Sequence, residues 1–258
     1  MNILFLGDVV GKPGREALAA KLPAFKRFQS IDFCIANGEN SADGNGVTAA
    51  SADALFASGV DVLTGGNHSF RQRDAYDYLN ESPYVLRPAN YSPEAPGKGL
   101  CVFDMGSHAA AVINIAGASF MDPCENPFRV ADKLIASLDP FVKTVIVDFH
   151  AEATGEKRAL AEYLAGRVSA VIGTHTHVQT ADERVLEGGT AFITDVGMCG
   201  PVDSVLGVKK ELAVDFMLNR MPTRFTVADG EAVISGVIIR VDEKTGKAES
   251  IERIQLIA

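Results

Sequence analysis

The feature that most constrains this chain is a rhythm: short, continuously apolar runs of strand length alternate with longer stretches whose apolar residues recur at helical spacing. Residues 2–6 form the first run, and in residues 14–29 Ala17, Leu18, Leu22, Phe25 and Phe28 mark one face of a helix. Residues 31–36 and 60–64 read as strands, with helices expected over 48–58 and 71–79, the latter ending ahead of Pro83. Strands covered on both faces look apolar throughout, and a βαβαβ order implies a parallel sheet.

The middle of the chain breaks that order. Runs 100–104 and 109–115 are separated by Met105-Gly106-Ser107-His108, which reads as an antiparallel hairpin. A helix over 127–138, a strand over 144–149, a helix over 157–165 and strands over 170–173 and 191–195 follow, and from Arg224 onward two or three antiparallel strands are expected, 232–241 the clearest. No linker, repeat or low-complexity tract divides the 258 residues, and 47% hydrophobic with 22% charged residues is ordinary for a folded chain. We expect one domain over residues 1–258, with two packed sheets and flanking helices.

Five of the apolar runs end in metal-ligand residue types. Leu6 leads to Gly7-Asp8, Ala36 to Asn37-Gly38-Glu39-Asn40, Thr64 to Gly65-Gly66-Asn67-His68, Val147 to Asp148-Phe149-His150, and Ile172 to Gly173-Thr174-His175-Thr176-His177. Ligands of α/β sheets sit beyond the carboxyl ends of strands, where loops converge on a rigid scaffold. Four of the five histidines fall at these ends; His108, in the hairpin turn, reads as a surface residue. Any one of the four is most simply a hydrogen-bonded structural histidine, but together with Asp8, Glu39 and Asn67 they point to a dinuclear metal site. Two cations about 3.5 to 4 Å apart need a bridging carboxylate with imidazole and oxygen ligands, and they activate a bridging hydroxide. Imidazole with carboxylate suits iron, manganese or zinc. His175 and His177 share a face if the strand continues and splay toward two metals if it has ended.

Other chemistries are disfavoured. The Gly7 to Lys12 segment is too short between its glycines for a phosphate-binding P-loop, and Pro13 stands where a magnesium-holding hydroxyl belongs. Gly44-Asn45-Gly46 follows the second strand rather than the first and reads as a loop, and no nucleophile elbow is present. Cys34, Cys101, Cys124 and Cys199 form no C-x-x-C pair; the first two read as reduced core residues, and Cys199 sits in a Gly-rich stretch read as a loop. A net charge of −9 argues against binding long nucleic acid or anionic membrane. With no 18-residue apolar run and no signal-like start, a cytoplasmic protein is expected. A homo-oligomer is compatible with the sequence, but no amphipathic stripe marks its interface.

These residues, in this order, resemble the calcineurin-like metallophosphoesterases, and Asp148-Phe149-His150-Ala151-Glu152-Ala153-Thr154 and Thr194-Asp195-Val196-Gly197-Met198 resemble its YmdB branch. The resemblance implies a four-layer α-β-β-α sandwich of two mixed sheets. It also implies one metal held by Asp8, Glu39, Asn40 and His177, with Glu39 bridging to a second held by Asn67, His150 and His175. Two departures stand out: Val10 replaces the second ligand of the usual Asp-x-His, and Glu39 with Asn40 replaces the usual Asp. His68 is left to stabilise the transition state or protonate the leaving oxygen, unless it merely orients its neighbours. Thr174 and Glu152 are candidates to support the ligands.

The resulting expectation is a phosphodiesterase for small phosphodiesters, cyclic nucleotides of the 2′,3′- or 3′,5′-cyclic AMP type foremost, cleaved by a metal-bridging hydroxide on two divalent or trivalent transition metals, iron foremost. A phosphomonoesterase or nucleotidase would use the same core, and a metal-binding regulator would act through partner contacts. Two divalent ions and one hydroxide against Asp8 and Glu39 leave a local charge of about +1, so an acidic chain can still hold a small anionic substrate.

Overall fold

Successive residues of a strand point to opposite faces, so burial of both faces requires a layer on each side. Strand β1 (Asn2–Val9) meets that condition, and Ile3 and Phe5 face one apolar layer while Leu4 and Leu6 face another. The computed structural model describes residues 1–258. After β1 come α1 (Gly11–Phe28), β2 (Phe33–Asn37), α2 (Ala49–Ala57), β3 (Val62–Thr64) and α3 (Ala75–Glu81). The hairpin β4 (Leu100–Asp104) and β5 (Ala109–Ala116) precedes α4 (Pro127–Ser137), β6 (Thr144–His150), α5 (Thr154–Leu164) and β7 (Ala170–Thr174). The chain ends with β8 (Arg184–Leu186), β9 (Thr190–Ile193), β10 (Met198–Pro201), α6 (Lys210–Asn219), β11 (Ala232–Val241) and β12 (Ala248–Ile257).

Two six-stranded sheets result, in the orders β12-β11-β10-β1-β2-β3 and β4-β5-β6-β7-β9-β8. Both are mixed: β1, β2, β3 and β10 run parallel, as do β5, β6, β7 and β9, with antiparallel strands at the margins. Three apolar layers hold the stack together. Ile3, Phe5 and Ile35 meet Ile146, Ile172 and Ile193 between the sheets. Leu18, Leu22 and Leu55 cover the outer face of the first sheet, and Leu160, Leu164 and Ala131 that of the second. Each fully buried large side chain contributes about 1.5 to 3 kcal/mol. The expected α-β-β-α sandwich is therefore present.

Several boundaries differ from expectation, each for a local reason. Helix α1 begins at Gly11 rather than residue 14, because Pro13 lies in the first turn, where its missing N–H costs nothing. Helix α3 starts at Ala75 rather than residue 71, because residues 66–72 are spent on turns closed by Ser69 N to Gly66 O and Arg71 N to His68 O. Helix α5 likewise begins at Thr154, ahead of the expected residue 157. Cys199 is not in a loop: it is a buried residue of β10, its Sγ directed at Ser235 O. Helix α6 escaped the sequence reading because only Ala213 of it is buried, so it carries no clear apolar face. Gly44-Asn45-Gly46 is a loop as expected, and His108 is a half-exposed hairpin residue paired with Glu243.

Candidate metal centre

The parallel strands of both sheets end on the same side of the molecule, which brings distant polar bursts together. Asp8 ends β1; Asn37 closes β2 and leads to Glu39 and Asn40; Asn67 and His68 follow β3; His150 ends β6; His175 and His177 follow β7. A bulge aims Asp8: Leu6 pairs with Ala36 but Asp8 pairs with Asn37, so Gly7 is the extra residue. Only glycine fits there, since a Cβ on it would strike the Gly197 carbonyl. Gly66 has the same character, because a Cβ there would meet the His150 ring and Glu39 Oε2.

All seven expected ligands and His68 lie in one contact network. His150 Nε2 is 3.0 Å from Asn67 Oδ1, 3.1 Å from His175 Nδ1 and 3.2 Å from Glu39 Oε1. Asn40 Nδ2 is 3.2 Å from Glu39 Oε1 and 3.3 Å from His177 Nε2, while its Oδ1 accepts from His68 Nδ1 at 2.7 Å. Thus Asn40 stands between the ligand set and His68, and its oxygen is engaged by the latter.

Hydrogen bonds behind the rings decide which nitrogen each offers. Thr174 Oγ1 donates to Asp148 Oδ1 at 2.7 Å, so its oxygen accepts from His150 Nδ1–H at 2.9 Å and leaves Nε2 as the nitrogen that faces inward. Asn37 steadies the same carboxylate, its Nδ2 donating to Asp148 Oδ2 and Gly65 O. His177 Nδ1 donates to Leu206 O at 2.9 Å, which leaves its Nε2 toward Asp8 and Asn40. His175 Nε2 donates to Glu152 Oε2 at 3.1 Å, which leaves Nδ1 facing His150. Three ring nitrogens are therefore turned inward, those of His150 and His175 being 3.1 Å apart. Because β7 has ended at Thr174, His175 and His177 splay rather than share a face, with left-handed φ of 98° and 64°. His175 N–H donates to Asp8 Oδ2 and Thr176 N–H to Asp195 Oδ2, which hold this costly backbone in place.

The electrostatics ask for a cation. Asp8 and Glu39 are fully or nearly buried. Burial alone would raise both carboxyls, yet the His177 and His150 rings hold Asp8, and the His150 and His68 rings hold Glu39, below the usual carboxylate range. In return, Glu39 and Asp8 overcome the downward push of burial and raise His150 to about 9, so a cation at its Nε2 must displace a proton. Asp8 Oδ1 is buried with no hydrogen-bond partner; the nearest rings, at 3.7 and 4.0 Å, are too far. An orphaned buried carboxylate oxygen is costly. With His177 Nε2 3.7 Å from that oxygen, and with the donor atoms of Glu39, His150 and His175 mutually within 4.8 Å, the set fits transition metals.

Sequence reasoning missed the buried pair Lys157–Asp195, at 2.8 Å, whose carboxylate also grips Thr176 N. It missed Leu206 too, which acts through a backbone carbonyl and so leaves no residue-type signal. Asp148 was legible only as part of its strand-end burst. Thr174 and Glu152, candidates from the sequence, hydrogen-bond His150 Nδ1 and His175 Nε2.

The fold is shared with solved structures of much lower identity, among them a calcineurin-like phosphoesterase of Bacillus subtilis, 11% identical at a TM-score of 0.53, while relatives of 35% identity or more, named phosphodiesterase or phosphatase, mark the chain as a phosphoric ester hydrolase. The family model for YmdB-like proteins matches residues 4–254. The chain is 47% identical over 254 residues to the 2′,3′-cyclic-nucleotide 2′-phosphodiesterase of Bacillus subtilis, covering 98% of this chain and 96% of that protein. A hypothetical protein from Thermus thermophilus, solved by crystallography, is 39% identical at a TM-score of 0.94, covering 100% of this chain and 99% of that one. A crystal structure described as a novel phosphatase, from Mycoplasma pneumoniae, is 35% identical at a TM-score of 0.93, covering 100% and 93%. The chain belongs to the YmdB-like family.

Proposed function

We propose that this protein hydrolyses small phosphodiesters, with cyclic nucleotides of the 2′,3′- or 3′,5′-cyclic AMP type as the first substrates to test. The observation that carries the reading is the buried Asp8 Oδ1, which has no hydrogen-bond partner, in one contact network with donor atoms of Glu39, His150 and His175 that lie within 4.8 Å of one another. Identity of 47% to a 2′,3′-cyclic-nucleotide 2′-phosphodiesterase supports the substrate class. Asp8, Glu39, Asn40 and His177 would hold one cation, and Glu39, Asn67, His150 and His175 the other; Asn40 joins only if its oxygen is released by or shared with His68. Iron is the first candidate on the family resemblance, manganese or zinc on ligand type. When bound, such a pair supplies a water of lowered pKa and neutralises charge on the phosphoryl oxygens.

The chain's own residues do the rest. His68 is anchored through Nδ1 to Asn40, which leaves Nε2 for the substrate. Burial, aided by Arg71, lowers its proton affinity, so its protonated form is the stronger acid toward a leaving oxygen. Its backbone N–H donates to Glu39 Oε2 at 2.8 Å, which fixes the ring relative to the bridging carboxylate. A cytoplasmic location belongs to the same reading, as does the expectation, from the net charge of −9, that no long nucleic acid or anionic membrane is bound.

The test is metal analysis of protein purified without chelator, followed by rates on bis(p-nitrophenyl) phosphate, 2′,3′-cyclic AMP, 3′,5′-cyclic AMP and AMP. Two metals per chain and diester hydrolysis lost on stripping and regained on reloading are expected. Equal rates with and without metal, or a preference for AMP over every diester, would overturn the reading, the latter in favour of a phosphomonoesterase.

A further inference from the structure

Two cavities border different residues of the proposed metal centre and share Arg71. One, about 600 Å³, is bordered by Asn40, His68 and His177 and reaches Arg71, Arg224 and Phe225. The other, about 560 Å³, is bordered by Asn67 and reaches Phe70, Arg71, Tyr91, Asp122 and Glu125. Each alone falls within the volume range of a small-ligand site, roughly 300 to 1,000 Å³. A cyclic mononucleotide carries both ester oxygens of its phosphate on a single ribose, so it needs only one of them. Two cavities meeting at one phosphoryl site suit a diester with a separate group on each oxygen.

The two arms differ in charge. Arg71 borders both. Arg224 adds a second guanidinium to the arm over His68, against a single carboxylate from Asp43, whereas the arm over Asn67 carries Asp122 and Glu125. Unlike Arg158, Arg167 and Arg253, neither Arg71 nor Arg224 is committed to an ion pair. Phe225 is 46% exposed and braced edge-on against Phe216, 5.4 Å between centroids, so a face remains for a flat ring. The second arm has its own aromatic wall, Phe70 beside Tyr91 at 6.2 Å.

We infer that the cleft recognises a linear dinucleotide bearing a terminal phosphate, an inference that rests on the phosphodiesterase reading above. The phosphorylated nucleotide occupies the arm with Arg71, Arg224 and Phe225, its terminal phosphate paired to the free guanidinia. The uncharged nucleoside occupies the arm with Tyr91, where Asp122 and Glu125 accept from ribose hydroxyls or an exocyclic amine. His68 borders the first arm, so the leaving oxygen is the 3′ oxygen of the phosphorylated nucleotide. Water adds to phosphorus, the P–O3′ bond breaks, and the leaving oxygen takes a proton from His68. Both products are then nucleoside 5′-monophosphates, and water supplies the remaining atoms.

The experiment compares kcat/KM of metal-loaded enzyme on 5′-phosphorylated diadenylate, unphosphorylated diadenylate and 2′,3′-cyclic AMP, in the wild type, Arg224→Gln and Tyr91→Ala. Binding of the phosphorylated dinucleotide to metal-loaded His68→Ala, with and without Arg224→Gln, is measured by calorimetry. The wild type is expected to prefer the phosphorylated over the unphosphorylated dinucleotide at least tenfold. Arg224→Gln is expected to reduce that preference to about twofold and weaken calorimetric binding at least tenfold. Tyr91→Ala is expected to lower the ratio of dinucleotide to cyclic-nucleotide rates. Hydrolysis of 2′,3′-cyclic AMP without a preference for the phosphorylated dinucleotide, or binding indifferent to Arg224, overturns the two-armed cleft while leaving the phosphodiesterase reading intact. Failure of loaded enzyme to cleave any diester removes that reading, and the calorimetry still decides the cleft.

Discussion

Lys157 is wholly buried, and its Nζ lies 2.8 Å from Asp195 Oδ2. Its stem passes Gly173, which must lack a side chain chiefly because an added Cβ would strike the Thr194 carbonyl; that Cβ would also lie 3.0 Å from Lys157 Cδ. Asp195 also accepts from Thr176 N and Gly197 N, at 3.0 and 2.9 Å. Lys157→Met keeps the stem's volume and leaves a buried carboxylate without its counter-ion, which costs about 3 to 5 kcal/mol. The two remaining N–H donors keep the cost near the lower end, about 3 kcal/mol. At about 2 to 4 °C per kcal/mol, the melting temperature should fall by roughly 6 to 12 °C. Lys157→Met/Asp195→Asn removes both charges and should recover at least about 2 kcal/mol of the loss. Urea unfolding reads this as a shift in midpoint at unchanged slope. Because Thr176 lies between His175 and His177, the single variant should also retain less metal after dialysis. A single variant within about 1 kcal/mol of the wild type, or a double variant no more stable than the single, would refute the argument.

Three further outcomes follow from the geometry. His68→Ala should reduce kcat on a phosphodiester by about 10²- to 10⁴-fold while metal analysis still finds the wild-type content; loss of metal would show that His68 holds the centre rather than acting on substrate. Gly66→Ala should fold but bind metal poorly, because the new Cβ meets His150 and Glu39 Oε2; full occupancy by elemental analysis would contradict this. Asp182 is held below the ordinary carboxylate range: burial opposes this, but the Thr194 and Thr180 hydroxyls and Thr194 N–H outweigh it. A depressed folded-state pKa stabilises above the unfolded value of 3.8, and that stability is lost as pH falls through the folded value. Asp182→Asn should therefore cost about 1 kcal/mol at pH 7, at the low end for a partly exposed group, and the gap should close on acidification. Equal losses at pH 7 and below pH 3, with the urea titration repeated at each, would contradict the linkage.

The strand ends were legible because their signal is local. An apolar run followed by Gly-Asp, Gly-Glu-Asn, Gly-Asn-His or His-Thr-His needs no distant partner to be recognised, and parallel strands put their carboxyl ends on one side by topology. Hence Asp8, Glu39, Asn67, His68, His150, His175 and His177 could be gathered from the sequence. Helix α6 could not, because one buried alanine leaves no periodicity to read. Neither could the role of Cys199: its glycine-flanked neighbourhood looks like a loop until β1 and β11 arrive to pair with it as β10.

What the amino-acid order determined by itself was the alternation of elements, the residue types at the strand ends and the acidic surface charge, all properties of short windows or of composition. Tertiary structure alone decided how those groups can act. The bulge at Gly7 aims Asp8, but it is defined only by pairing with β2. The inward-facing nitrogens of three histidines depend on Thr174, Glu152 and Leu206, and Leu206 lies 29 residues from His177. Lys157 meets Asp195 across 38 residues, and Arg71 and Arg224 face one cavity from opposite halves of the chain. The physical reason is the same in each case. A hydrogen-bond partner or a counter-ion is selected by distance in space, and in a stack of two sheets that distance is set by packing rather than by separation along the chain.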